Sequence, residues 1–416
     1  MKKLGLIILI GAFAFPLWAA EDATLSFYQR AAAAKGKNAK QDRAFSAALA
    51  RDVAQWTVSH EGNAEMKTAL LMQADFYQRA NEQANALLAL YQVRFYFPSA
   101  QDVALLSTQL ETIMDSLNRA QKAQALKLLA VDTTDLEGLK ARRAALLTHL
   151  VQAELKNTYA PSVTLFEEFF TQYPTYEAMD KMTLLYGDLH RQNDNFLAAI
   201  TEYKKVYELF PSTVYKAAAL RMMGDVYAFG LKDYETATAL YDQVLKEYPG
   251  SAETGIVYKH LAVVTENQKQ YDSALGYYDK AIAELGNQSA AFDAWQGKAD
   301  VLGKTKEYQA QYNTLLKGAD AFSTEESQYI ALLGQASEVA KKRLKSPTQQ
   351  TVALEKILRV YPQTQRAPEF LYTAANSYEK QGKAPQALQL YKQLVIHYPT
   401  DKYAGRAQGR INKLEK

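Results

Sequence analysis

Five histidines, His60, His149, His190, His260 and His397, are the side chains best suited to proton transfer or metal ligation near neutral pH. None stands three or four residues from another, so no helix face presents a pair, and no H-E-x-x-H occurs. His190 and His260 are read as packing or surface side chains. Gly303-Lys304-Thr305 ends like a phosphate-binding loop. That loop needs a glycine five residues before Gly303, where Lys298 stands; Gly297 is one residue too far. A turn between two helices explains Gly303 without a phosphate. Neither G-x-S-x-G nor G-x-G-x-x-G is present. Carboxylates are scattered singly over helix faces, with only ordinary i, i+4 partners. There is no cysteine, which removes disulfides, a thiol nucleophile, zinc–thiolate sites and cysteine-held iron–sulfur clusters. Lys341-Lys342-Arg343 with Lys345 is the densest basic cluster, and it reads as a solvated helix end beside the negative pole of the helix dipole. No catalytic residue, cofactor or metal is expected, and the protein is read as non-enzymatic.

The start of the chain reads as an address. Lys2 and Lys3 precede an apolar run from Leu4 to Leu17, then Ala19 and Ala20, then Glu21-Asp22. This is the layout of a secretory signal peptide over residues 1–20, with cleavage after Ala19. An uncleaved N-terminal anchor is the alternative, although the run is short for a span. With no cysteine to lipidate and no later apolar run of 18 residues, a soluble periplasmic or exterior protein is expected. The formal charge of +3 includes Lys2 and Lys3, so the processed chain is almost neutral and carries no electrostatic argument for nucleic acid.

What remains must be explained by spacing. Met222 to Pro249 reads as two helices, with Gly224 and Tyr227 on the first and Ala237, Tyr241, Val244 and a terminal Pro249 on the second. Gly224 and Ala237 are small where two antiparallel helices approach, the tyrosines fill the space beside them, and Pro249 ends the unit. Tyr186-Gly187, Ala199, Tyr203, Val206 and Pro211 repeat the landmarks upstream. Leu261-Ala262, Ala274, Tyr278, Ala281 and Gly286 repeat them downstream, as do Ala375, Tyr378, Ala387, Tyr391, Leu394 and Pro399. The unit ends Pro98, Pro174, Pro211, Pro249, Gly286, Pro362 and Pro399 stand 76, 37, 38, 37, 76 and 37 residues apart. Since 76 is twice 38, hidden ends are expected near residues 136 and 324, and one step before Pro98 lands near residue 61. Ten units result. Residues 31–40, AAAAKGKNAK, are read as a loop, and Ala44–Trp56 as the amphipathic helix after it.

This pattern resembles the tetratricopeptide repeat, a helix–turn–helix unit of about 34 residues. The Met222–Pro249 copy departs from it by one extra residue in its turn, Phe229 to Asp233. The resemblance implies an all-α, right-handed, TPR-like α-solenoid of about ten helix pairs. Its expected parts are a degenerate N-terminal helical repeat at 21–65, the repeats proper at 66–400 and a capping helix at 401–416. The residues in excess of 34 are expected to lengthen a helix.

Such repeats usually bind an extended peptide or a partner helix in a groove lined by first-helix residues. By register those residues are Asp75, Gln78, Lys181, Asp188, Arg191, Arg221, Asp225, Lys259, Glu266, Asn376 and Glu379, and the set mixes signs. Tyr372 lies off register and is a further candidate for a binding surface. The YP unit endings are similar to those of bacterial envelope proteins, namely the helical lipoprotein of the β-barrel assembly machine and the periplasmic partner of the Tol–Pal system. The resemblance implies a non-catalytic scaffold for cell-envelope assembly or maintenance, with other envelope proteins as partners and neither nucleic acid nor cofactor. The alternative is a carrier or guide for an exported polysaccharide or peptidoglycan strand.

Overall fold

The computed structural model describes residues 23–31, 38–98, 131–154 and 158–416, with isolated positions between 110 and 128. The signal-peptide reading, and most of the unit expected over 99–136, lie outside the described residues. Among the described residues every regular element is helical. The chain divides into two compact units, residues 1–219 and 220–416.

The first unit holds α1 (Ala23–Ala31), α2 (Ala39–Ser59), α3 (Met66–Arg79), α4 (Gln83–Tyr96), α5 (Gly138–Ala153), α6 (Tyr159–Gln172), α7 (Met179–Gln192) and α8 (Phe196–Leu209). The boundary falls inside α9 (Lys216–Asp225), which runs on into a π-helical turn, Val226–Leu231. Then come α10 (Tyr234–Glu247), α11 (Thr254–Asn267), α12 (Tyr271–Leu285), α13 (Ser289–Lys304), α14 (Tyr308–Ala321) and α15 (Glu326–Lys342). The second unit closes with α16 (Pro347–Val360), α17 (Ala367–Lys380), α18 (Ala384–His397) and α19 (Lys402–Leu414). The architecture is a TPR-like α-solenoid of repeated helix pairs. α2 begins inside the stretch read as a loop, because the Asn38 side chain accepts from the Gln41 N–H and caps the helix there.

Most helices of the repeats are 14 residues long. The two helices of a repeat are joined by a tight turn whose middle residue is left-handed: Asp194, Lys269, Lys306 and Gly382. The following N–H reaches back to close it, as in Asn195 to His190 (2.9 Å) and Glu307 to Leu302 (2.8 Å), so the last carbonyls of the first helix are satisfied. Gly303 lies in the last turn of α13, not in this connection. Units end at Tyr-Pro or Phe-Pro in a six-residue link, shortened to four residues before α19. After α6 that link is two turns in series, Tyr176 to Tyr173 and Met179 to Tyr176. The residues in excess of 34 therefore lie in the link and do not lengthen a helix. The cause is local, since a residue before proline is driven out of the helical region and proline has no N–H to donate.

The extra residue at Phe229–Asp233 appears as the π-helical turn Val226–Leu231. A π turn inserts one residue without breaking the helix. The closing bond accordingly spans one more residue, from Asp233 back to Tyr227 (2.9 Å).

The second-helix tyrosines Tyr203, Tyr241, Tyr278 and Tyr391 are buried. Tyr227 and Tyr378, repeat landmarks on the first helices, are only half-buried. A β-carbon added at Gly187 would stand 2.5 Å from the Tyr203 ring, and one at Gly224 2.6 Å from the Tyr241 ring. These rings are packed on all sides and cannot retreat, so the glycines are required by the phenols. Gly276, on the exposed face of α12, has open space around it. Gly224→Ala is expected to destabilise the protein by about 1–3 kcal/mol through overpacking. Gly276→Ala is expected to stabilise it by about 0.5–1 kcal/mol, the gain in helix propensity. Urea unfolding of the two variants beside the parent checks both, and a Gly224→Ala midpoint at or above that of Gly276→Ala contradicts the packing argument.

Candidate functional site

Each buried phenol carries a hydroxyl that must find a partner. Tyr203 donates to Asp188 Oδ1, Tyr241 to Asp225 Oδ1 and Tyr391 to Asn376 Oδ1, all at 2.8 Å. In the α11–α12 repeat the matching first-helix position is apolar, Val263, and Tyr278 reaches Glu266 Oε2 instead (2.8 Å). Four of the residues expected to line a groove are thus acceptors for the repeat's own tyrosines. Burial first, and then the neighbouring Asp225 charge, pushes the Tyr241 hydroxyl far above its ordinary range.

The same positions join each repeat to the next. Asp225 also accepts from His260 Nδ1 on the following first helix (2.6 Å). Arg221 bridges Asp225 to Glu253, which precedes α11. Lys259 reaches Asp293 on α13 (3.2 Å), and Glu266 accepts from Lys304 at the end of α13 (2.5 Å). Glu379 holds Arg410 of α19 through its Nε (3.0 Å), which seats the last helix. In the first unit Arg191 pairs with Asp188 on its own helix (3.0 Å), and Arg79 with the buried Asp75 (2.6 Å). Burial pushes the Asp75 carboxyl up, and Arg79 opposes that only in part. Gln78 is half-buried and Lys181 exposed.

Tyr372 does not stand free. Its ring lies between Tyr391 (5.7 Å between centroids) and Tyr403 of α19 (5.3 Å). His190, read as a packing residue, meets the Tyr159 hydroxyl at Nδ1 (2.9 Å), and burial lowers its proton affinity. His260 packs edge-on against Phe229 of the π turn (5.3 Å). Among the described residues no group of three histidine or carboxylate side chains converges as a metal site would require.

An open groove of about 580 Å³ lies elsewhere in the second unit, between α15 and α17 and reaching Tyr403 of α19. Ile330, Leu354 and Phe370 form its floor, while Gln335, Glu338, Lys341 and the Arg366–Glu369 pair stand at its rim. A β-carbon at Gly334, inside this groove, would meet nothing within 4 Å. This glycine is not needed by packing; it leaves room. No groove residue was expected on α15, whose tyrosine landmark is missing. The signal was the small pair Ala331 and Gly334 on one face of a first helix.

A family model described as tetratricopeptide repeat matches residues 218–251 and 369–401. Those two stretches are tetratricopeptide repeats by that match. The first match is the α9–α10 repeat with its Tyr241, and the second is α17–α18 with Tyr391. No curated protein matches the sequence. Among solved structures, the C-terminal part of a TPR repeat-containing protein from Cytophaga hutchinsonii is 14% identical, with a TM-score of 0.42 over 64% of this chain and 98% of that one. Pseudomonas aeruginosa PilF is 14% identical, with a TM-score of 0.34 over 56% and 97%. PilW, described as a widely conserved type IV pilus biogenesis factor, is 13% identical, with a TM-score of 0.30 over 64% and 98%.

The Asp225 cluster gives a pH dependence. Burial alone would raise this carboxyl, but His260, Arg221 and Tyr241 together hold it below its usual value. A depressed folded-state value means that the stabilisation is complete above the unfolded value of about 3.9 and is lost as pH falls through the folded one. Stability is therefore expected to fall with acidification below about pH 4, and less steeply in Asp225→Asn. Urea midpoints from pH 6 to pH 3 measure this; parallel curves for parent and variant would remove Asp225 from the account.

Proposed function

We propose that the protein is a periplasmic scaffold that binds other envelope proteins through the α15–α17 groove and has no chemistry of its own. The observation that carries this reading is the groove itself, an apolar floor with a mixed-sign rim and an unfilled Gly334, set within repeats of a kind that typically bind partner proteins. An extended segment fits such a floor by placing apolar side chains on Ile330 and Phe370, while Lys341 meets its polar groups; Arg366 is already held by Glu369. The charged first-helix positions are engaged with each other, so apolar contact supplies the affinity and rim charge the orientation.

The address rests on Lys2-Lys3, the Leu4–Leu17 run and Ala19-Ala20, which have the order of an export signal. The YP unit endings support a place among envelope proteins. No helix among the described residues is long and apolar enough to cross a membrane.

A photo-crosslinking side chain placed at Gln335 in living cells is expected to give discrete adducts with a small set of envelope proteins. Gly334→Trp fills the groove from an open position, and it is expected to abolish those adducts while leaving the circular dichroism spectrum unchanged. An alkaline phosphatase fused after Lys416 is expected to be active, as it is only outside the cytoplasm. Adducts that persist in Gly334→Trp would move the partner site elsewhere, and an inactive fusion would overturn the address.

A further inference from the structure

Charge is unevenly spread along the chain. Residues 341–416 hold 15 of the 48 lysines and arginines but only 5 of the 45 aspartates and glutamates. The chain as a whole is +3, so its other residues together are net negative and the positive charge is gathered in the last repeats. Part of that charge is spent inside the fold. Lys356 pairs with Asp320, Lys392 with Glu415 and Arg410 with Glu379.

Another part is left over at the α15–α17 groove. Three carboxylates stand in or beside it, and each is engaged. Glu338 holds Lys342 (2.6 Å), Glu369 holds Arg366 (3.0 Å), and Asp401 accepts the Tyr403 N–H (2.8 Å) at the start of α19. Three cations are not so held. Lys341 lines the α15 side of the groove. Tyr403 lines the α19 side, and the Lys402 ammonium and Arg406 guanidinium lie 5.1 and 5.7 Å from the centre of its ring. All three cations are exposed, and among the described residues none of them is ion-paired. The helix dipole accounts for Lys341, which is in the last turn of α15. It does not account for Lys402, the first residue of α19, where the positive end of the dipole disfavours a cation. A charge placed against that local rule, with its ammonium resting on an aromatic face, calls for an anion from outside the fold.

We propose that the segment bound in this groove is acidic as well as apolar, a stretch of partner protein that carries aspartate or glutamate among its apolar residues. The inference rests on the scaffold reading and names the chemistry of its partner. Apolar side chains lie on Ile330, Leu354 and Phe370, carboxylates reach Lys341 on one wall, and others reach Lys402 and Arg406 on the opposite wall. The cations stand on two different helices, so they suit carboxylates spread along a segment and not the single carboxylate of a chain end. A phosphate backbone has no apolar atoms to lay on the floor, and an uncharged segment leaves the three cations unanswered.

The test is fluorescence anisotropy of the full chain with a rhodamine-labelled peptide of Ser-Glu-Leu repeats, both ends blocked, against the same peptide with glutamine or lysine in place of glutamate. The acidic peptide is expected to bind saturably at one site per chain, at least about tenfold more tightly than the glutamine form, and the lysine form is expected not to bind. Lys341→Gln combined with Arg406→Gln alters two exposed side chains. This double variant is expected to bind the acidic peptide at least about threefold more weakly and the glutamine form unchanged, with the helical spectrum intact. Gly334→Trp is expected to abolish binding of both. If Gly334→Trp abolishes binding while the acidic and glutamine peptides bind the parent equally, the groove stands as a partner site and the acidic chemistry is overturned. If the acidic peptide binds Gly334→Trp as well as the parent, the groove reading falls and this inference with it. No saturable binding of the acidic peptide to the folded chain also overturns the proposal. So does binding of phosphatidylglycerol vesicles, lost in the double variant, in place of the peptide, which assigns these cations to a membrane surface.

Discussion

A phenol buried between two helices makes two demands at once. Its ring needs a neighbour without a side chain, and its hydroxyl needs an acceptor within about 3 Å. In this protein both come from the first helix of the same repeat, from adjacent residues. Gly187 and Asp188 serve Tyr203, and Gly224 and Asp225 serve Tyr241. The pair fixes how closely the two helices approach and how they are rotated about their axes. Once that is set, the first-helix carboxylate is already placed at the seam with the next repeat. Asp225 there receives His260, and Glu266 receives Lys304. One interaction inside a repeat therefore positions the one between repeats.

The acceptor can change if the geometry is kept. Tyr391 uses the neutral Asn376, and Tyr278 uses Glu266 one turn further along its helix, because Val263 offers nothing. Tyr278 also takes its close approach from Gly297 on the following first helix rather than from its own repeat. In the α9–α10 repeat a π turn adds a residue between Asp225 and Tyr241 without disturbing their bond. These variations show what is held constant: a small residue against the ring and an oxygen at the hydroxyl. Chain length and charge are free to vary around them.

The helix pairs could be read from the sequence because their causes are local. Tyr-Pro ends, small residues at close contacts and a period of 37 to 38 each act within one unit. The hidden helix break at Phe322–Glu325 followed from the period alone, and the chain turns there. The placement of the extra residues was misjudged, because proline ends a helix without revealing that two successive turns follow it. The groove assignment carried a deeper ambiguity. A carboxylate on a first helix is equally suited to face a ligand, a tyrosine or the next helix, and only three-dimensional register chooses among them. Asp188, Asp225, Glu266 and Asn376 are the positions where that choice went to the tyrosine. Gly334 was missed for the opposite reason: a glycine is read as serving close packing, and here it leaves space.

Bonds at the seams bear on what the rest of the surface can do. A charged side chain held by a partner on the neighbouring helix gains less from a second, incoming charge, because its own charge is already answered. Lys259, Glu266 and Glu379 are in that position. Recognition must then draw on apolar area. The second unit offers it in the floor of the α15–α17 groove. Where repeats stack only on their neighbours, polar groups can be matched seam by seam. The first unit adds to its seams two bonds that reach across about three periods, Gln172 to the Val58 carbonyl and Tyr173 to Glu61.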